Sequence, residues 1–360
     1  MPTSELFTPI TLRGVTVRNR VWVAPMCQYS SVDGLPDDWH LVHLGSFARG
    51  GAGLVMTEAA AVVPEGRITP QDAGIWDDAQ RDAWRRVVDF VHGQGATAAV
   101  QLAHAGRKAS AARPWAEGQV ASDAEGGWEP VGPSAEAFPG LRDPRALTVA
   151  EIEQVVEAFG AAAVRAVEAG FDVVEVHAAH GYLLHEFLSP LSNHRDDEYG
   201  GPFEHRARLL LDVVRRVRAA VGEEVPLLVR ISATDWAEGG WDADSSVRLA
   251  GLLREAGVDL VDTSSGGNLR VDIPVEPGYQ VPFAARIRAE AGIASGAVGL
   301  ITEPKQANDV IAEGSADVVL LARELLRDPH WPLRAAHELG VEPGEGVDWP
   351  VQYRAGAAGW

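Results

Sequence analysis

The sequence predicts a single-domain (β/α)8 barrel, and three observations carry that expectation. Short apolar runs alternate with segments of helical period eight times along the chain. One strand entrance recurs as AGFDVVEV, AGVDLVDT and the looser EGSADVVLL, each placing a glycine at a helix end and an aspartate before an apolar strand. These aspartates, Asp172, Asp259 and Asp317, are spaced as two-unit steps of a βα series with unequal insertions. Finally, no G-x-G-x-x-G follows any predicted strand, which weakens the alternative of a doubly wound sheet.

Residues 10–20 alternate apolar and polar around Gly14 and predict a β-hairpin that caps the barrel floor. The first barrel strand is the apolar run 21–29, and proline at position 25 ends its ladder. A helix over 41–48 leads to strand 53–62. Helix 78–92, with Trp84, Val87, Val88 and Val91 on one face, leads to strand 96–106. Residues 107–147 have no period and are rich in Pro, Gly, Ser and Trp, so they are expected to be a lid or binding loop inserted after strand three. Thr148 and Glu151 form a capping-box pair for helix 149–169. Strand 171–177, helix 203–221, strand 226–232, helix 244–256 and strand 259–265 follow. Helix 282–291, strand 296–301, helix 303–313, strand 317–322 and a last helix at 330–339 complete the series, leaving 340–360 as a tail.

With 360 residues and 46% hydrophobic content, the chain is long enough for one large barrel. A net charge of −20 argues against nucleic acid or an anionic lipid surface as partner. Cys27 is the only cysteine, which excludes an intrachain disulfide and fits a reducing compartment. The N-terminal stretch lacks a basic and apolar leader pattern, and no run approaches ~18 apolar residues. A cytoplasmic protein that neither spans nor binds a membrane is expected.

In such a barrel the chemistry lies at strand C-termini. The stretch 171–182, FDVVEVHAAHGY, is the focus. Alternation sets Val173, Glu175 and His177 on the inner face, and Gly181 permits a turn that returns His180 and Tyr182 beside His177. Cys27, Tyr29, Gln101, His104, Arg230 and Arg323 also fall at the mouth. Gln101 reads equally as a satisfied core amide, and Cys27 as a small buried hydrophobe. Arg230, inside a run of leucines and valines, needs an anion, either Glu175 or an anionic cofactor. Gly299 and the pair Ala322 and Arg323 stand where barrels commonly bind phosphate. A metal-dependent hydrolase using His177 and His180 with His185 or Glu186 is the reading from a different class, although catalytic zinc needs three converging ligands. No metal site is expected.

The motifs APMCQYS, EGRIT, QLAHAGRKA, EVHAAHGYLLHEFLSPLSNHRDDEYGG, SGAVGLI and ARELLRDP, spread over nearly the whole chain, resemble the Old Yellow Enzymes. More narrowly they are similar to the thermophilic-like, or xenobiotic-reductase, subclass. The resemblance implies tightly, non-covalently bound FMN at the barrel mouth, reduced by NADPH or NADH. It also implies ping-pong reduction of an electron-poor alkene, with a xenobiotic, nitroester or quinone reductase as the variant on the same site. By position, His177 and His180 would bond the substrate oxygen while hydride passes from flavin N5 to the β-carbon, and Tyr182 would protonate the α-carbon. Arg230 would lie beside flavin N1 and O2, and Gln101 at the pyrimidine edge. Ala24, Pro25, Met26 and Ala59 would pack or bond against the isoalloxazine, Cys27 would tune its potential, and Tyr29 would line the substrate pocket. Gly299, Ala322 and Arg323 would hold the phosphate. The subclass also implies a homodimer or dimer of dimers in which a C-terminal arginine, here Arg354, enters the neighbouring subunit's site. The spacing of WPVQYRAGAAGW departs from the expected form.

Overall fold

A computed structural model describes residues 4–357. Eight parallel strands close into a barrel. They are β1 (Val21–Val23), β2 (Leu54–Ala61), β3 (Thr97–Ala103), β4 (Val173–Ala178), β5 (Leu227–Ser232), β6 (Leu260–Ser264), β7 (Ala294–Ala297) and β8 (Val318–Leu321). The expected helices are present, among them Asp78–Gly93, Val149–Ala169 and Phe203–Val221. The alternation of side chains divides the apolar residues into two cores. Trp22, Leu54, Met56, Val173, Leu228 and Leu260 fill the barrel, while Val174, Val176, Val229 and Ile231 face the helical shell. The antiparallel hairpin Ile10–Leu12 with Val15–Val17 closes the floor, because Leu12 and Val17 pack into the inner core.

The recurring aspartates have a shared physical role. Each stands just before a barrel strand and accepts the first free N–H of an adjacent strand: Ala98 N to Asp172 at 2.8 Å, Leu227 N to Asp259 at 2.8 Å, and Ser295 N to Asp317 at 2.9 Å. A buried strand start would otherwise leave that donor unpaired. Each carboxylate also has a side-chain partner: His92 Nε2 at 2.7 Å, Arg218 with Arg13, and Arg288 respectively.

Strand β7 is shifted from its expected position. The run 296–301 looks like a strand by composition, yet the strand is Ala294–Ala297 and the chain then leaves the sheet. Gly299 at φ +109° and Leu300 at φ +51° are left-handed, a conformation no strand accommodates. The segment 107–147 holds short 3-10 turns, an isolated bridge between Ala111 and Val120, and a two-residue pairing of Val131–Gly132 with Arg145–Ala146.

Candidate active site

Strand β4 delivers Glu175 and His177 to the barrel interior, with Glu175 fully buried and His177 nearly so. The chain then turns through two left-handed residues, His180 at φ +58° and Gly181 at φ +69°. The turn is held by Tyr182 N to Ala179 O at 3.2 Å and His180 N to Ser232 Oγ at 2.8 Å. A β-carbon on Gly181 would lie 2.4 Å from Gly267 O, so this turn and the loop after β6 meet main chain to main chain. Lys108 fastens the same junction: its Nζ donates to His180 O at 2.8 Å and to Gly267 O.

The turn brings the three expected groups together. His177 Nε2 and His180 Nδ1 are 3.4 Å apart, and the Tyr182 ring lies edge-on to His177 with centroids 5.1 Å apart. Burial, reinforced by the nearby charge of Arg230, pushes both imidazoles well below their usual pKa, so both are neutral at physiological pH. Burial likewise pushes the Tyr182 phenol well above its usual value, with Cys27 and Tyr29 adding to the effect. The Lys108 ammonium, 5.5 Å from the Tyr182 ring, is pushed down to about 8, chiefly by burial.

Beneath this group, His177, Arg230, Asp262 and Gly296 lie in register on four adjacent strands. Arg230 does not take Glu175 as its ion-pair partner, as the sequence suggested. It pairs with Asp262 at 3.2 Å, while Glu175 accepts from Gln101 Nε2 at 2.7 Å. Gln101 is therefore both bonded and positioned beside the site. Glu175 is pushed up to about 8 by burial first and by Asp262 second. One cation thus serves two buried carboxyl groups, and Arg230 Nε and Glu175 Oε2 each lack a hydrogen bond.

An open cavity with about 620 Å³ of free space runs from Arg230 to the loops after β7 and β8. Ala24, Gly299, Ala322 and Arg323 line it, and a β-carbon at Gly299 would come within 3.1 Å of Gln280 N. An unsatisfied guanidinium N–H at one end, small residues along the wall and a second arginine at the other end fit an anionic nucleotide such as FMN. Four further expected residues stand apart from this cavity. Pro25, Met26 and Cys27 follow β1, and Ala59 sits after an irregularity in β2, in register with Gln101. Burial raises the Cys27 thiol well above its usual value, with Asp72 and Glu58 acting the same way, so it stays protonated. Tyr29, at φ +53°, packs edge-on to Trp115 of the 107–147 insertion at 5.8 Å.

Other expected residues serve elsewhere. His104 is buried and accepts Gly106 N at 3.1 Å. His185 Nε2 pairs with Asp235 at 3.1 Å, and Glu186 accepts Arg107 N at 2.9 Å, which turns both away from a shared metal. Among the described residues no group of three His, Cys, Asp or Glu could hold a metal ion. Arg354 is exposed beside Asp348, near Arg49 and away from this chain's cavity. Trp360 lies outside the described residues. No helix among those residues is long and apolar enough to cross a membrane.

Sequence reasoning gave no role to Asp262, Lys108, Ser264 or Gln280. Asp262 and Ser264 were detectable in principle, because alternation within DLVDTSS puts them on the same inner face as Leu260. Gln280 offered no local signal, since it reaches Ser264 and Ser265 from the start of helix Val281–Ala291.

The model of the NADH:flavin oxidoreductase / NADH oxidase family matches residues 5–342. An NADPH dehydrogenase of Bacillus licheniformis is 47% identical over 356 residues, covering 98% of this chain and 99% of the relative. Morphinone reductase, solved in complex with tetrahydroNAD, superposes with a TM-score of 0.79 at 30% identity, covering 96% of this chain and 94% of its own. The Old Yellow Enzyme homologue of Zymomonas mobilis gives 0.78 at 30% identity, covering 97% and 100%. A parallel barrel with an open cavity and a buried arginine at its mouth is, with these relatives, an NAD(P)H-dependent flavin oxidoreductase. The chain belongs to the NADH:flavin oxidoreductase / NADH oxidase family, as an Old Yellow Enzyme.

Proposed function

We propose that the chain is an ene-reductase that saturates electron-poor alkenes such as enones, enals, maleimides and nitroalkenes. The observation that carries this reading is the 3.4 Å convergence of His177 Nε2 and His180 Nδ1 beside the Tyr182 phenol. Bound FMN would supply hydride drawn from NADPH or NADH.

The chain's own residues do the rest. Two neutral imidazoles donate to a carbonyl or nitro oxygen and stabilise the negative charge that grows there, which makes the β-carbon electrophilic. Tyr182, protonated at neutral pH, gives its proton to the α-carbon. Arg230 supplies positive charge at the inner end of the cavity, and Gln101, oriented by Glu175, lines the barrel layer beside it. Gly299, Ala322 and Arg323 would hold the phosphate, with Ala24, Pro25, Met26 and Ala59 against the ring system. Cys27, held as a neutral thiol by its burial, would adjust the cofactor's potential. Tyr29 and Trp115 would shape the substrate pocket, and the 107–147 insertion would act as its cover. The tail from 340 would lie at a homodimer interface, with Arg354 reaching a partner's pocket.

Rapid-mixing kinetics on the two half-reactions test this. Tyr182→Phe should slow reoxidation by 2-cyclohexen-1-one by about 100-fold, within the range for general acids, while reduction by NADPH changes little. Wild-type rates in both half-reactions of the variant would remove Tyr182 as the proton donor. Quinones and nitroesters present the same kind of oxygen to the histidine pair, so they are acceptors to assay alongside the enone.

A further inference from the structure

The proposed oxygen site needs both histidines to act as donors, and their tautomers are constrained by what lies behind them. His177 Nδ1 accepts the backbone N–H of Ala179 at 3.3 Å. A neutral imidazole that accepts at Nδ1 carries its proton on Nε2. His177 therefore always offers Nε2–H toward the site.

His180 is not fixed in this way. Its Nδ1 faces His177 Nε2 at 3.4 Å and its Nε2 meets Ser264 Oγ at 2.8 Å. With the proton on Nε2, His180 donates to Ser264 and its Nδ1 merely accepts from His177, which leaves one donor for substrate. With the proton on Nδ1, both histidines present N–H groups to a common oxygen, provided that Nε2 finds a donor behind it. Main-chain groups cannot give this choice, because a carbonyl only accepts and an N–H only donates. A hydroxyl does both.

We propose that Ser264 is a positioning residue that supports the Nδ1–H tautomer of His180 when a substrate oxygen is bound, by turning its hydroxyl proton onto His180 Nε2. The inference rests on the oxygen-site reading above. The ring proton moves from Nε2 to Nδ1 by exchange with water in the open cavity, so no proton is gained or lost overall. Turning the hydroxyl gives up only its long 3.3 Å contact to Gln280 Oε1. That oxygen keeps the shorter bond from Ser265 Oγ at 2.6 Å and is not stranded. Ser264 lies on β6, in register with Ser232 of β5, and Ser232 Oγ accepts His180 N. Hydroxyls on two neighbouring strands therefore fix the main chain and the far ring nitrogen of His180.

The test uses the FMN-loaded protein labelled with ¹⁵N-histidine, with phenol as the probe, because its oxygen binds as an acceptor and offers no alkene to reduce. Phenol should convert His180 Nδ1 to a protonated nitrogen in the wild type. In Ser264→Ala, Nδ1 should stay unprotonated and phenol should bind about tenfold more weakly, the effect of losing one hydrogen bond worth ~1.4 kcal/mol. Ser264→Thr, which keeps a hydroxyl, should restore both readouts. If phenol perturbs His177 while His180 Nδ1 remains unprotonated in the wild type, or if Ser264→Ala behaves like the wild type, the role of Ser264 is refuted. If phenol binds and perturbs neither histidine, the oxygen-site reading itself fails.

Discussion

Replacing Glu175 by glutamine should shift stability relative to the wild type increasingly in the variant's favour as pH rises from 5 to 8. Glu175 is fully buried, accepts one hydrogen bond from Gln101, and shares Arg230 with Asp262. Its carboxyl is raised from the ordinary 4.5 to about 8. Between those values the folded state holds a proton that the unfolded chain has released. Stability therefore falls as pH rises, by ~1.36 kcal/mol per unit. From the ordinary value to neutral pH that amounts to ~3 kcal/mol, and the loss levels off once pH passes about 8. Glutamine keeps the acceptor for Gln101 and cannot ionise. Its amide leaves an N–H where Oε2 now lacks a partner, which costs ~1–3 kcal/mol at every pH. The variant should thus be equal to or slightly weaker than the wild type at pH 5 and gain steadily on it toward pH 8. Urea unfolding of both proteins in excess FMN, at pH 5, 6, 7 and 8, gives the difference directly. Asp72, raised to about 7, and Glu186, raised to about 8, tilt both curves alike and cancel. A difference that stays constant within ~0.3 kcal/mol would mean that Glu175 is ionised throughout, and the account of one cation serving two carboxyls would be wrong.

Gly181→Ala should cost at least ~2 kcal/mol, because alanine is strained at φ +69° and its β-carbon would meet Gly267 O at 2.4 Å. Enone turnover should fall with the displaced His180, and a thermal midpoint and activity equal to the wild type would remove the tight junction from the site. Asp259→Ala should destabilise by ~2–4 kcal/mol in urea, since it strands the N–H of Leu227, removes the carboxylate partner of the largely buried Arg218 and leaves Arg13 with Glu223 alone. Asp172→Ala, whose partner His92 is largely exposed, should cost less, and a reversed order would contradict the assigned strand-entry role. Trp115→Ala should leave stability within ~0.5 kcal/mol because the ring is 64% exposed, yet shift KM between small and bulky enones through its contact with Tyr29. Unchanged KM values across such a series would dissociate the insertion from specificity.

What the sequence determined by itself is whatever short-range pattern encodes. The alternation of strands and helices specified the barrel, and the two-residue period of VVEVHA assigned Glu175 and His177 to the interior before any neighbour was known. Glycine at 181 marked the turn that gathers His177, His180 and Tyr182. The boundary of β7 was misread because GAVGLI has strand composition, and only the left-handed backbone at Gly299 and Leu300 reveals a loop. Tertiary structure decided the pairings. Asp262 meets Arg230 because closure of the barrel sets β5 beside β6 in one register, whereas Glu175, also inward on a strand next to β5, is taken by Gln101. Lys108 and Ser264 reach the turn, and Gln280 reaches Ser264 behind it, from distances along the chain at which no periodicity operates. Local pattern fixes which face a side chain takes. Register and closure fix which partner it meets there, and hydrogen-bond partners in turn fix protonation and tautomer, where the chemistry of this site resides.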